Sequence, residues 1–473
     1  MMEYEESYND GEVRELVDDF KEMVDEGTNH FFDSDDLAII ASELIAGFDF
    51  QYADAAIEHG NSLYPDDISF KILRVRRLMM GLQIDEAGQE LRKLEEAYPP
   101  SAALYMEKAF YIKISGSDED AYPYIKKAYD MTPDDPWINF ELGSELIRMA
   151  DYDRGLELVA FALEHDETLD EQLFTLSYIF EDDRPEKDAV VFFTRLTDMF
   201  PLNKSAWFAL GLAFSWSQEY QQSIEAYLNV ISLDDSASTA YFNIGNAYYE
   251  LQDFPQAMHY YHETYRIDDH DFHALTGIGD CLYQMNRNEE ALQYYYKTLD
   301  IIPDDPDALM GVVACLKECG RNDEAEVFIE QVFARNPQGF DMMFGVMPFF
   351  HEEVQLEKLK HFFNMTFSKI TAKEEFMTLF TVYCTTKPEY YALGIEVLEE
   401  YLDNEEVASV VSYHLAALHY LSGNHHFAEN YLKTALLINY EGHKMFLSLH
   451  PDLSSYTDIQ RLIMLYHPKD NSF

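Results

Sequence analysis

Four cysteines are the residues best suited to chemistry in this 473-residue chain, and their spacing permits little of it. Cys315 and Cys319 stand one helical turn apart, but no second thiol pair or nearby histidine completes a zinc set. Cys281 precedes Cys315 by 34 residues, in an apolar surrounding that suits a buried thiol. With Cys384 these thiols are too few for a disulfide framework and are read as reduced. His259 and His262, like His270 and His273, have the spacing of metal ligands but lie in stretches that read as turn or helix surface. There is no phosphate-cradling glycine loop and no nucleophile elbow. Among 88 Asp and Glu, paired carboxylates carry no information. The expectation is a protein with no catalytic residue, no cofactor and no metal.

Charge restricts the partners. Against the 88 acids stand 33 Lys and Arg, a formal net charge of -55. Such a field repels phosphate backbones and anionic lipid, so nucleic acid and membrane are not expected as partners, whereas neutral or basic proteins are. Apolar residues at 47% and aromatics at 15% supply enough surface to bury, so the chain folds. The stretch from Met1 to Asn9 is acidic and lacks the order of a signal peptide, and no segment has the length of a bilayer span. The expected location is the cytoplasm.

The elements that must position these residues follow from an internal period of 34. Counting units from Ser34, the twentieth residue reads Ala53, Ala87, Ala121, Gly155, Ala189, Ser223, Ala257, Ala291 and Ala325. Nine small residues in a row arise by chance about once in a million trials, or about once in ten thousand after allowing for the choice of register, so the period is taken as real. The eighth position is also mostly small: Ala41, Val75, Ala109, Gly143, Ser177, Gly211, Gly245, Gly279 and Val313. Two antiparallel helices approach closely only where side chains are short, so one small residue on each marks a crossing. The thirty-second position holds Pro65, Pro99, Pro133, Pro201, Pro303 and Pro337 in six of the nine units, which cannot continue a helix, and Glu167, Asp235 and Asp269 in the other three. The last position of each unit supplies helix caps such as Asp67, Ser101, Asp135, Asn203, Asp271 and Asp305. Leu169 and Ala237 cannot cap; a start displaced by one residue would use Asp170 in the first case and Ser236 or Ser238 in the second.

These residues resemble the tetratricopeptide repeat family. Trp207, Leu210, Gly211, Phe214, Ser223 and Tyr227 carry its pattern in one unit, and Leu275, Ile278, Gly279, Ala291, Tyr295 and Pro303 carry it two units on. The resemblance covers residues 34 to 339 without an insertion. It implies an all-α, right-handed superhelical solenoid of about twelve antiparallel helix pairs with terminal capping helices, and a binding scaffold rather than an enzyme.

The expected organisation is an acidic N-terminal capping helix in 1–33, nine regular repeats in 34–339, a degenerate repeat in 340–374, two further repeats in 375–442 and a C-terminal capping helix and tail in 443–473. Val13, Leu16, Val17, Phe20, Met23 and Val24 form the stripe of the first cap; Ile459, Leu462, Ile463 and Tyr466 form that of the last. Gly394 and Ala428, 34 apart, mark the resumed period after 374.

In the family, positions 2, 5, 9, 12 and 13 of each first helix face an inner groove that carries the ligand. Transferred here, the resemblance implies a groove of Trp137, Phe140, Phe174, Tyr178, Phe208, Trp216, Phe242, Asn246, Tyr249, Asp280 and Tyr283. It is aromatic and weakly acidic, suited to peptide segments; the competing reading is that the fifth-position aromatics are core. Asn246 can bind a peptide amide in both directions. A secondary basic patch combines Arg74, Arg76, Lys113 and Arg148 and could grip a carboxylate-bearing tail, although pairing with neighbouring acids is its ordinary fate. The clamp by which some members of the family hold chaperone C-termini is not reproduced, because the matching fifth positions are Ile72, Met106 and Phe140.

The leading functional reading is a non-enzymatic scaffold or adaptor that holds peptide segments or partner proteins. Its rivals are a regulatory enzyme of response-regulator-phosphatase type, which needs a separate helical head where only about 33 residues precede the repeats, and a holding chaperone for basic clients.

Overall fold

A computed structural model describes residues 10–28, 30–115, 120–181, 186–335, 363–364, 366–385 and 388–467. Among these the chain is helical and has no strand. A leading helix, α1 (Asp10–Glu26), is followed by nine helix pairs at the 34-residue period. They are α2 (Ser34–Ala46) and α3 (Phe50–Leu63), α4 (Ser69–Met80) and α5 (Ile84–Ala97), α6 (Ala102–Ser115) and α7 (Tyr122–Met131), α8 (Pro136–Arg148) and α9 (Tyr152–His165), α10 (Leu173–Glu181) and α11 (Glu186–Met199), α12 (Lys204–Trp216) and α13 (Tyr220–Leu233), α14 (Ser238–Glu250) and α15 (Phe254–Ile267), α16 (Phe272–Gln284) and α17 (Asn288–Ile301), α18 (Pro306–Glu318) and α19 (Asn322–Arg335). The degenerate repeat expected over 340–374 lies outside the described residues apart from its last few. Beyond it come α20 (Lys373–Thr385), α21 (Tyr391–Glu399), α22 (Ala408–Leu421), α23 (His425–Ile438), α24 (His443–Leu449) and α25 (Thr457–Leu465).

The chain divides into two compact units, Met1–Asn243 and Ile244–Phe473, with the division falling inside α14. In the first, the helices of each pair from α2–α3 to α12–α13 pack together, α3, α5, α7 and α11 pack on the following first helix, α9 packs on the turn at 167–172 and on α11, and the first helices also touch one another along α2, α4 and α6 and along α8, α10 and α12. The core is a relay of small clusters, the first built by Phe20 and Met23 of α1 on Leu37, Ile40, Leu44 and Ile57. Leu16 and Val17 join at its border, while Val24 is exposed. In the second unit, α16 packs on α15, α17 and α18, and α22 on α20, α21 and α23. Ile459 and Leu462 of α25 close its end against Leu432, Leu436 and Phe446.

The small positions work as spacing predicts. Ala53, Ala87, Ala189, Ser223, Ala257 and Ala291 are fully buried. A Cβ on Gly143 would lie 3.0 Å from the Gly155 carbonyl, so the two backbones meet at this pair of positions. Proline alone does not end the second helices: α9, α13 and α15 stop two residues before Glu167, Asp235 and Asp269, just as α3 and α17 stop two residues before Pro65 and Pro303.

Asp135, Asn203, Asp271 and Asp305 accept hydrogen bonds from the third residue of the following helix, at 3.0, 2.8, 3.0 and 2.8 Å. Near Leu169 the displacement runs opposite to the sequence expectation. A 3-10 turn opens at Glu167, Asp166 caps it by accepting from Thr168 N at 2.9 Å, and Asp170 is no cap. Leu169 is thereby freed to bury completely. Ahead of α14, Asp234 organises the turn, accepting from the Ser236 backbone and hydroxyl at 3.1 and 2.6 Å.

Every described turn from first to second helix within the 34-residue units, up to α18–α19, places its fifteenth residue in the left-handed region. It is Phe48, Leu82, Ala150, Gln218, Gln252 and Asn286 at φ between 58° and 64°, and Gly320 at 72°. An L residue other than glycine loses about 1–2 kcal/mol there through the clash of its Cβ.

Candidate partner-binding surface

In the first unit a pair of exposed aromatic rings lies where α10 meets α12. Phe174 and Tyr178, one turn apart on α10, are 44% and 51% exposed, with ring centroids 5.0 Å apart edge to face. Phe174 also lies 6.3 Å from Phe208 of α12, whose ring rests on the buried Tyr227. Trp216 is half-buried at the end of α12. Two large exposed rings on one short helix are an unusual cost in water unless something covers them. Trp137 is half-buried and stacks on Phe140. Phe140 itself is only 2% exposed and belongs to the core with Ile147 and Leu173, so it presents no surface to a ligand. At that position the packing explanation holds.

In the second unit the polar members of the predicted groove are tied to their own repeats. Asn246 Oδ1 accepts from the Tyr261 hydroxyl at 2.8 Å, and Asp280 Oδ1 accepts from the Tyr295 hydroxyl at 2.7 Å. Burial pushes the Asp280 carboxyl up to about 6, against the lowering effect of that hydrogen bond. Gln284 donates to the Tyr249 hydroxyl at 3.2 Å, and Tyr249 packs edge to face on Phe254. Tyr283 and Phe242, the latter in the first unit, are half-buried.

The tyrosine clamp was missed in the sequence. The Tyr261 ring sits between Gly245 and Gly277, and the Tyr295 ring between Gly279 and Gly311, each close enough that any Cβ on the glycine would fall within 2.8 Å of the ring. The sixth-position glycines, Gly277 and Gly311, stand 16 residues after the tyrosines they cover, and that spacing is the signal that would have revealed them.

The basic patch is mostly spent internally. Arg76 pairs with the buried Glu107, Lys113 bridges Glu141 and Glu145 at 2.8 Å each, and Arg148 lies 3.6 Å from Glu145. Arg74 is exposed and lines an open pocket of about 530 Å³ with Lys71, Asn61, Glu58 and Glu90.

Cys281, Cys315 and Cys384 are fully buried free thiols, and burial pushes the first two up to about 12, far from reactive thiolate. Asp268, Asp269 and His270 form a fully exposed cluster in the turn before α16. No described helix is long and apolar enough to cross a membrane.

Models of the tetratricopeptide repeat family match residues 216–272 and 242–306, and a further one matches 284–342. Among solved structures, one of MamA protein is 23% identical, covers 35% of this chain and 91% of its own, with a TM-score of 0.29. A second structure of MamA is 23% identical, covering 34% of this chain and 95% of its own, with a TM-score of 0.29. That of YrrB, described as a TPR protein with an unusual peptide-binding site, is 13% identical over 46% of this chain and 95% of its own, with a TM-score of 0.30. A search of curated proteins gives no match. With helix pairs recurring at one length and family models falling on residues 216–342, that stretch of the chain is made of tetratricopeptide repeats, a scaffold for protein–protein interaction.

Proposed function

We propose that the protein is a cytoplasmic, non-enzymatic adaptor that holds peptide segments of a neutral or basic partner on the aromatic face of its first helices. The observation that carries this reading is the exposure of Phe174 and Tyr178, two rings one turn apart on a single helix, beside Phe208 of the next first helix. Rings of this kind give a peptide apolar contact area at low entropic cost. The net charge of -55 favours a cationic or neutral ligand. Trp216 and, in the second unit, Tyr249, Asp280 and Tyr283 are further proposed contacts; Asn246 is one through its amide nitrogen, its oxygen being engaged by Tyr261.

The test is affinity capture from native extract with wild type, Phe174→Ala and Tyr178→Ala. Because both side chains are half in water, the variants keep the fold, and helical content checks this. Specific partners lost on either substitution support the reading; an unchanged set of partners contradicts it. A general holder of basic clients would instead release everything as salt rises, whatever residue stands at 174.

A further inference from the structure

Two of the left-handed turns break two rules at once. At the fifteenth position, where glycine is favoured, the first two repeats place Phe48 at φ 59° and Leu82 at φ 58°. Both are large and apolar, and both are exposed, at 62% and 85%. The later described units carry Ala150, Gln218, Gln252, Asn286 and Gly320 there, all small or polar. Bulky side chains in strained backbone and facing water serve neither the turn nor the core, and such paired violations mark function.

The two are joined on one surface. The Phe48 ring meets Phe50 edge to face at 5.9 Å, and the Arg77 guanidinium lies over the Phe50 ring at 5.3 Å. Arg77 in turn holds Gln83, the neighbour of Leu82, and pairs with Asp54. The result is a ledge with an exposed apolar side chain at each end, Phe48 at the turn of the first repeat and Leu82 at that of the second, and the polar groups of Arg77, Gln83 and Asp54 between them, apart from the first-helix positions that carry the proposed groove. Its border is acidic. Asp49 and Asp54 are already matched by Lys21 and Arg77, while Asp85 and Glu86, the latter accepting from Gln83 Nε2 at 3.2 Å, are exposed at the start of α5 and have no cation paired with them among the described residues.

We propose that Phe48 and Leu82 form a second docking surface, for a partner segment that combines leucine- or phenylalanine-type side chains with flanking lysine or arginine. The apolar side chains cover the ledge, and the cations meet Asp85 and Glu86. The occupant is a partner protein and not a second copy of this chain, whose charge of -55 would oppose self-association at an acidic border.

The probe is a fluorescein-labelled 14-residue amphipathic peptide of leucine and lysine, with a leucine and glutamate peptide as its control, titrated at 0.5 M salt to suppress general attraction to the acidic chain. Phe48→Gly, Leu82→Gly and, as variants that accept the left-handed backbone while remaining polar, Phe48→Asn and Leu82→Asn are compared with wild type. We expect saturable binding of the leucine–lysine peptide only, weakened at least tenfold in each variant and unchanged in Gln252→Gly, the same backbone change at a turn outside the ledge, with melting temperatures equal to or above wild type. Equal affinity in wild type and variants, or no saturable binding by wild type, overturns the proposal. So does a fall in melting temperature in both the Gly and Asn variants, since the side chains would then serve the fold, or a concentration-dependent doubling of mass that the Asn variants abolish.

Discussion

The fate of single charged residues separates structural pairs from free surface. Glu107 is 1% exposed, and Arg76 is the cation that pairs with it, so truncating the arginine strands a buried carboxylate. Arg76→Ala should therefore cost about 3 kcal/mol in urea unfolding. Arg74→Ala, at an exposed position of the same helix, should stay within about 0.5 kcal/mol. His414 offers a pH test. It is buried in α22 with Nε2 3.2 Å from the Thr378 hydroxyl and Nδ1 unpartnered, and burial, helped by nearby His450, pushes it down to about 3. The unfolded chain thus binds a proton more readily than the folded one. Stability from this group is complete above the ordinary imidazole range and is lost as pH falls from about 6.5 towards 3, by up to about 1.4 kcal/mol per pH unit. His414→Leu should flatten that part of the pH–stability curve of the full chain, as read by hydrogen exchange in α22; an unchanged acid slope would mean that other groups set it.

Helices and turns show how far the sequence was legible. The 34-residue spacing of small residues located the helix pairs, because the geometry of a helix crossing is local and tolerates only short side chains. The left-handed turns were hidden, because Phe48, Leu82, Ala150, Gln218 and Gln252 are residues that do not advertise that conformation. The cap before α10 was misread because Asp170 and Asp166 are equally good acceptors, and only the burial of Leu169 chooses between them. Likewise Phe140 and Phe174 share the fifth position, yet one is core and the other exposed. What differs is the packing of the neighbouring helices, which no periodicity in one chain reports. The turns also give a stability prediction. Gln218 and Gln252 are exposed at φ 59°, so Gln218→Gly and Gln252→Gly should each raise stability by about 0.5–1 kcal/mol, the left-handed clash relieved exceeding the entropy that glycine adds to the unfolded chain. Thermal melts of the single and double variants check both the sign and the additivity expected for separate turns.

At the scale of the molecule, length comes from repetition, which lets a chain of 473 residues build many small cores in series where one large core would outgrow itself. Repetition also multiplies surface, over which the acids give the chain its net charge of -55. What distinguishes one repeat from the next is then the few side chains each one leaves uncovered. The most direct test of this account replaces Tyr178 with a photo-crosslinking phenylalanine analogue and, as a control, places the same group at the exposed Glu225 on the second helix α13. After irradiation in native extract, the account predicts discrete crosslinked partner bands from position 178 and none of them from position 225. Identical bands from both positions, or none from 178, would contradict it.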